Sequence, residues 1–445
     1  MAEFDQAARR AGFGTGTTHR LLQRIVAVKP EEMRAVLWCW LYIFAVLSSY
    51  YIMRPLRDQM GVAGGVRNLQ WLFTGTLVAM LALNLPFAWL VKTLPRSRFI
   101  ALTYHFFVLN ILLFAVALHM ADAAQTVWVG RVFFIWTSVY NLFVVSVFWQ
   151  LNVDLFSAEQ GKRLFGFIAA GATIGAIVGS GITASLAKHV SATLLLIGAA
   201  LLLELGVFAA GRLARLWPAL HQVPAAAATA KEERPLGGTI IAGITNAVRS
   251  PYLIAVSGFI LLFAITSTFL YFQQAEIVSK SFAGKGAQRA FFADIDFAVN
   301  LLTLVVQVFF TGRIVLLLGV ALALAFLPLL TMVGFAVLAL SPSIGTFAVI
   351  QVLRRAGDYA IARPTREVLF TVVPREDRYK TKGFIDTFVY RLGDQVGAWS
   401  VALLNGIGAL AAVIAAIAIA ALWLVTGLWL GRRQKALEAA ADSTT

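Results

Sequence analysis

An all-α, polytopic membrane protein of twelve transmembrane helices in two six-helix halves is what this 445-residue sequence predicts. Three observations predict it. Hydrophobic residues make up 60% of the chain and charged residues only 13%. The apolar residues gather into runs of about twenty, each long enough to cross a hydrocarbon core of about 30 Å, where a helix satisfies its own backbone. Basic residues, finally, alternate in density from one inter-run segment to the next.

The runs place spans near 34–53, 69–91, 99–120, 126–150, 165–186, 193–211, 252–275, 291–311, 314–340, 344–370, 384–407 and 409–430. Residues 1–33 are basic and polar rather than a short apolar run ending in small residues, so no cleavable signal peptide is expected. With both termini cytoplasmic, the inside segments hold 23 Lys and Arg, the outside loops 7 and the spans 7 of the 37. That bias satisfies the positive-inside rule for an even number of spans in a cytoplasmic (inner) membrane. The net charge of +15 is therefore a topology signal, and no nucleic-acid partner is implied.

Segment 212–250 is the longest polar interruption and carries the low-complexity run Val223-Pro-Ala-Ala-Ala-Ala-Thr-Ala. It reads as a cytoplasmic linker between a six-helix bundle at 34–211 and another at 251–431, with a cytoplasmic tail at 432–445. A weak internal repeat agrees. Gly166-Phe167-Ile168 recurs as Gly383-Phe384-Ile385, Ile174-Gly175 as Leu392-Gly393, and Val178-Gly179 as Val396-Gly397. Two six-helix halves joined by a cytoplasmic loop is the major-facilitator layout, in which solute binds between the halves near the midplane and rocking exposes it to each side in turn. Gly171, Gly175 and Gly179, four residues apart, form a small-residue face suited to close helix packing.

Several chemistries drop out. Cys39 is the only cysteine, so neither a disulfide framework nor a cysteine metal site is expected, and five scattered histidines lack ligand spacing. His105, inside span 3, reads as a packed or hydrogen-bonded side chain. No phosphate-cradling Gly-x-x-x-x-Gly-Lys-Ser/Thr loop is present, so energy must come from a gradient or from exchange. No cofactor is implied and no catalytic arrangement is readable, so an enzyme is not expected.

Charge inside the spans carries the functional reading. A charged side chain at a span centre costs about 2.5 to 3.5 kcal/mol on insertion scales, so it faces a cavity or a partner charge. Arg354 to Asp394 nevertheless hold 15 charged residues in 41 positions. In span 10, at 100° per residue, Arg355, Tyr359 and Arg366 fall within about 40°, with Arg354–Asp358 and Arg363–Glu367 spaced for i, i+4 pairs and Pro364 set to kink the helix. Span 11 puts Asp386, Tyr390 and Asp394 on one face with Gly393 and Gly397, and Arg391 beside them.

Span 1 ends with Arg54, Arg57 and Asp58, where snorkelling and a local Arg54–Asp58 pair compete with a role in binding. Arg131 in span 4, Asp154 at its far end, Glu204 in span 6, and Asp294 and Asp296 entering span 8 complete the set. Two readings follow. The charges form an inter-helix latch that holds one conformation, or they form a positive site for an organic anion, which the guanidinium fork grips bidentately. Arg54, Arg57, Arg131, Arg355, Arg366, Lys382 and Arg391 are the candidate anion ligands. Asp58, Asp154, Asp294, Asp296, Asp358, Glu367, Asp386 and Asp394 are the candidate coupling or gating carboxylates.

The segments YYIMRPLRDQMG (50–61), FWQLNVDLFSAEQGKRLFGFIAAGATIGAIVGS (148–180), and Pro364-Thr-Arg-Glu through YKTKGFIDTFVYRLGDQVG (379–397) resemble the bacterial and plastid ATP/ADP antiporter family. That resemblance implies a twelve-helix major-facilitator-like fold and exchange of ATP for ADP or a related phosphorylated anion. Arg57-Asp58 is similar to the family's basic-acidic pair after span 1, and Lys382, Asp386 and Arg391 to its Lys-Gly…Asp…Arg-Leu-Gly run. Two positions depart. The family pattern has a lysine where this chain has Asp394, and a glutamate in span 4 where it has Thr137. The expected function is therefore secondary transport of an anionic, phosphorylated metabolite, adenine nucleotide first, with the bilayer as the only other partner. The rivals are a proton-coupled exporter of another metabolite and a membrane scaffold or sensor without transport.

Overall fold

The computed structural model describes residues 28–29, 32–93, 96–156, 158–221, 250–373, 381–382 and 384–442. Among the described residues, twelve helical rods follow one another in the predicted order. They are α1 Met33–Ala63, α2 Leu69–Thr93, α3 Arg96–Met120, α4 Ala123–Leu155, α5 Ala158–Leu186, α6 Ala192–His221, α7 Pro251–Ser281, α8 Lys285–Phe309 and α9 Thr311–Leu340. The tenth rod, α10, joins Ile344–Gly357, a π-helical turn Asp358–Ala362 and Arg363–Val368. The eleventh, α11, opens on a π-helical turn Ile385–Val389 and continues as Tyr390–Ile407, and α12 is Ala409–Asp442. Nine of these, among the described residues, are long and apolar enough by length and composition alone to cross a membrane. Rods α2, α10 and α11 are outside that group; α10 is divided by its π-turn into helical pieces of 14 and 6 residues.

Helix ends follow local chemistry. Asp122 caps α4 in a reciprocal box with Gln125, and Ser250 caps α7 ahead of Pro251, which needs no N–H partner at the first turn. Between α11 and α12, Gly408 takes φ 151°, a backbone state that lets two rods meet at a one-residue break. The expected segments 1–33, 212–250 and 432–445 lie wholly or partly outside the described residues. Their described portions include helix, since α6 runs on to His221 and α12 to Asp442.

The internal repeat has a structural counterpart. A Cβ at Gly175 would collide with the Phe44 carbonyl and one at Gly179 with the Ser48 carbonyl, so α5 crosses α1 at backbone contact. In the second half Gly393 meets the Leu261 carbonyl and Gly397 the Ile265 carbonyl, so α11 crosses α7 the same way. Buried side chains of α1, α3, α4, α5 and α6 form one core, and those of α7, α9, α10, α11 and α12 another. A further cluster joins the halves, packing Val62, Leu69, Leu72 and Phe134 against Ile265, Phe269, Phe272 and Val401.

Candidate functional site

The sequence-singled charges converge where the end of α1 meets α7, α8 and α10. Asp296 of α8, 2% exposed, lies 3.5 Å from Arg54 of α1 and 2.7 Å from Arg355 of α10. One carboxylate thus serves two arginines from opposite halves. One turn on, Tyr271 of α7 donates to Asp58 Oδ1 at 2.9 Å, and Arg57 reaches the same oxygen at 3.6 Å while lying over the Phe134 ring at 4.2 Å. The expected local Arg54–Asp58 pair is therefore not the one formed. Each partner instead reaches across to the other half, because the end of α1 is packed against α7 and α8 rather than left in solvent.

Hydrogen-bond geometry in this cluster is incomplete. Buried Nε of Arg54, Arg57 and Arg354, Nη2 of Arg355 and Oδ2 of Asp296 have no aligned protein partner. Arg355 Nη2 is near Asp296 but badly directed, so proximity there supplies charge rather than a directed bond.

Along α10 the expected pairs are replaced, and the π-turn is the reason. Pro364 has no N–H for the Ala360 carbonyl, which instead accepts from Thr311 Oγ1 at 2.7 Å, while Gln307 Nε2 donates to the Tyr359 carbonyl at 3.2 Å. The wider turn sets Asp358 against Arg363, five residues on, at 3.0 Å. Arg354, predicted to pair with Asp358, donates to Ser267 of α7 and lies over Phe263 at 5.7 Å. Glu367, predicted to pair with Arg363, binds Lys382.

Lower in the bundle Arg366 lies 3.7 Å from Asp386 of α11. Arg391 binds Asp394 at 3.0 Å, and Thr268 of α7 donates to the other Asp394 oxygen at 3.3 Å. Arg355, Arg366 and Arg391 are thus each held by a different carboxylate.

Other predicted residues lie elsewhere. Arg131 stacks over Trp128 at 4.5 Å and donates to the Gly64 carbonyl at 3.4 Å, which ties α4 to the end of α1. Asp294 is exposed in a groove between α8 and α10 lined by Phe291, Val349 and Val352, away from Asp296 one helical face over. Glu204 lies 3.7 Å from His105, both largely exposed on the outer surface of the bundle. The side chain of Asp154 is outside the described residues. Thr137 is fully buried and donates to the Phe133 carbonyl.

Three contributors were not singled out by the sequence. Tyr271 and Ser267 give no charge signal, and Thr74 of α2 bonds Gln395 of α11 at 3.0 Å and accepts from Trp399. At the start of α1, Glu32 is buried and binds Arg163 at 2.9 Å and Gln160. Burial raises the affinity of Glu32 for a proton, but the Lys29 amide, Arg163 and Gln160 outweigh it and hold the carboxyl below its usual range. Among the described residues no three His, Cys, Asp or Glu side chains gather at metal-ligand spacing.

No family model and no curated protein matches the sequence. Solved structures match its fold. A POT family transporter in complex with 5-aminolevulinic acid is 12% identical with TM-score 0.62, covering 91% of this chain and 96% of that one. A bacterial homologue of the human lysosomal transporter Spinster, inward-facing and unoccupied, is 13% identical with TM-score 0.61 over 92% and 99%. A bacterial homologue of the iron transporter ferroportin, inward-facing, is 13% identical with TM-score 0.61 over 90% and 98%. The chain is a multi-pass, all-α membrane protein with the major-facilitator-like fold.

Proposed function

We propose that the protein is a secondary transporter that moves an anionic organic solute by alternating access between its two halves. The observation that supports this best is the shared Asp296. Two partly buried arginines, one from each half, depend on a single carboxylate, and four buried guanidinium nitrogens nearby lack an aligned acceptor. A phosphate or carboxylate group entering between the halves satisfies those donors and competes with Asp296 for Arg54 and Arg355. Anion binding and the latch are then two states of the same residues. Binding loosens the cross-half ion pairs, and the unoccupied protein re-forms them.

Adenine nucleotide exchange is the finer reading. Its support is the resemblance carried by residues 50–61, 148–180 and 364–397, which includes Arg57, Asp58, Arg366, Lys382, Asp386 and Arg391. Membership of the ATP/ADP antiporter family rests on those motifs. The charge asymmetry further supports placement in the cytoplasmic membrane with both termini and the linker inside. The test is reconstitution: vesicles loaded with ADP should take up labelled ATP, and empty vesicles should not. Uptake equal in loaded and empty vesicles overturns exchange. Absence of uptake for every phosphorylated or carboxylated anion in a solute panel overturns anion transport.

The second reading, a proton-coupled exporter, is favoured by Asp394, whose carboxylate is 9% exposed and held by one arginine and one threonine. Uptake that collapses with the proton gradient and ignores internal ADP would select it. A scaffold or sensor predicts neither.

A further inference from the structure

On the outer surface of the first half, α3 and α6 carry a polar pair that the charged cluster between the halves does not use. His105 of α3 and Glu204 of α6 lie 3.7 Å apart, with side chains 57% and 41% exposed. Glu204 is the thirteenth of the 25 residues of the apolar span Ala192–Leu216, so about 18 Å of helix separates it from either end. A glutamate side chain is too short to reach a headgroup from that depth. The surface around the pair is apolar, with Leu102, Phe106 and Leu109 of α3 and Leu201, Leu205 and Phe208 of α6 all exposed.

Neither member of the pair has its bonding completed. His105 Nδ1 stands 2.8 Å from the Ala101 carbonyl, which only accepts, so Nδ1 carries a hydrogen and Nε2 is the atom that faces Glu204. A separation of 3.7 Å is too long for a hydrogen bond. Among the described residues, no hydrogen bond reaches the Glu204 carboxylate.

We propose that the α3/α6 face is the interface of a two-fold symmetric dimer within the membrane, in which His105 of each copy bonds Glu204 of the other. Depth selects the class of partner. Neither a lipid headgroup nor a water-soluble protein reaches mid-bilayer, which leaves a membrane-spanning helix. Charge complementarity then selects a second copy. The face presents one basic and one acidic side chain next to each other, and a two-fold axis along the membrane normal sets each against its opposite, so both unmet groups are bonded at once. Whichever member holds the shared proton, one copy offers a donor where the other offers an acceptor. Polar bonds between spans join helices whose apolar side chains have no preference for protein over lipid. The inference rests on the membrane-spanning fold and is independent of the solute transported.

Cysteine cross-linking of the full-length protein in phosphatidylethanolamine–phosphatidylglycerol vesicles tests it. In a Cys39→Ser background, Leu109→Cys copies and differently tagged Leu201→Cys copies are mixed before reconstitution and then oxidised. Leu109 lies one turn from His105 and Leu201 one turn from Glu204, both toward the same membrane face, so the two-fold axis opposes them. The mixed disulfide should therefore exceed the disulfides between like copies. Glu204→Leu in both copies should lower it about tenfold, the effect expected for two symmetric polar contacts between spans. Leu410→Cys, exposed on α12 of the other half, should give only background. A mixed product no greater than the like products, or than the Leu410→Cys background, overturns the proposal even where Glu204→Leu fails to fold. So does a mixed product that a folded Glu204→Leu protein leaves unchanged.

Discussion

The carbonyls of Phe44 and Leu261, 217 residues apart, each lie against a glycine of the helix that crosses theirs, Gly175 and Gly393. Ser48 and Ile265 repeat the relation with Gly179 and Gly397 at the same spacing. The α1/α5 and α7/α11 crossings are therefore equivalent joints, one per half, and the end of each leads into the charged cluster.

These crossings set the first prediction. Gly175→Ala and Gly397→Ala each insert a methyl group against backbone that cannot move aside, and each should destabilise the protein by about 1 to 3 kcal/mol. Gly166→Ala, exposed in mid-helix with nothing within 4 Å of its added carbon, should be neutral or stabilising by up to about 1 kcal/mol. Thermal unfolding followed by tryptophan fluorescence checks the contrast. Equal midpoints for all three would remove the close-packed joints from the account.

Asp296→Asn leaves two partly buried guanidinium groups facing each other without a counter-charge and should cost about 3 kcal/mol, the low end for breaking a buried pair. Adding Arg355→Gln removes one of them, so the double variant should regain much of that stability. Transport should not return with it, because the anion ligand is gone. A double variant as unstable as Asp296→Asn alone would show that the carboxylate does not act through Arg355.

Tyr271 bonds Asp58 across the interface, and Tyr271→Phe removes that bond while keeping the ring against Phe73 and Phe134. A hydrogen bond to a charged acceptor contributes about 1.5 to 3 kcal/mol, so opening between α1 and α7 should become at least about tenfold more frequent. Phe272, 4% exposed and packed on Phe73 from the other half, is the reporter position. In a Cys39→Ser background, Phe272→Cys should react with an impermeant maleimide about tenfold faster when Tyr271→Phe is added. An unchanged rate would mean this bond does not hold the halves closed.

The Glu32–Arg163 joint gives a pH prediction. The folded-state affinity of Glu32 for protons is depressed, so its contribution to stability is fully present above the ordinary glutamate range and fades as pH falls through the depressed value. Thermal stability should therefore decline in acid more steeply for wild type than for Glu32→Gln, with the difference largest above the glutamate range and vanishing below it. Parallel pH profiles would exclude Glu32 as the responsible group.

Much of the fold was legible because it rests on run length, charge alternation and small-residue spacing, which are properties of the chain. Twelve rods, the close-packed glycines and the repeat were all readable that way. Pairing inside the charged region was not. The sequence offered Arg354–Asp358 and Arg363–Glu367 by assuming a regular helix, whereas Pro364 and the carbonyl-capping Thr311 set a π-turn that shifts every later side chain. Asp296 could be flagged as a membrane carboxylate but not as the partner of Arg54 and Arg355, since those three come from three helices. Tyr271 carried no signal at all. Its role depends on what stands opposite.

Asp394 is where the two transport readings give opposite results. It sits where the resembling family has a lysine, and Arg391 and Thr268 neutralise and bond its two oxygens. For an anion exchanger, that carboxylate only reduces the positive charge that Arg391 offers. Asp394→Asn, which keeps the shape and the Thr268 contact, then raises the local charge by one unit. A unit charge at 4 Å is worth at most about 4 kcal/mol at an effective dielectric of 20, and less at the distance of a bound phosphate, so half-saturation for ATP should fall by about tenfold. Asp394→Lys should likewise sustain exchange. For a proton-coupled exporter, the carboxylate is the group that takes up and releases the proton, so both variants should abolish gradient-driven uptake and flatten its pH dependence. Concentration-dependent uptake into ADP-loaded vesicles, measured for wild type and both variants across pH, separates these outcomes. Loss of uptake together with loss of pH dependence would transfer the assignment to proton coupling.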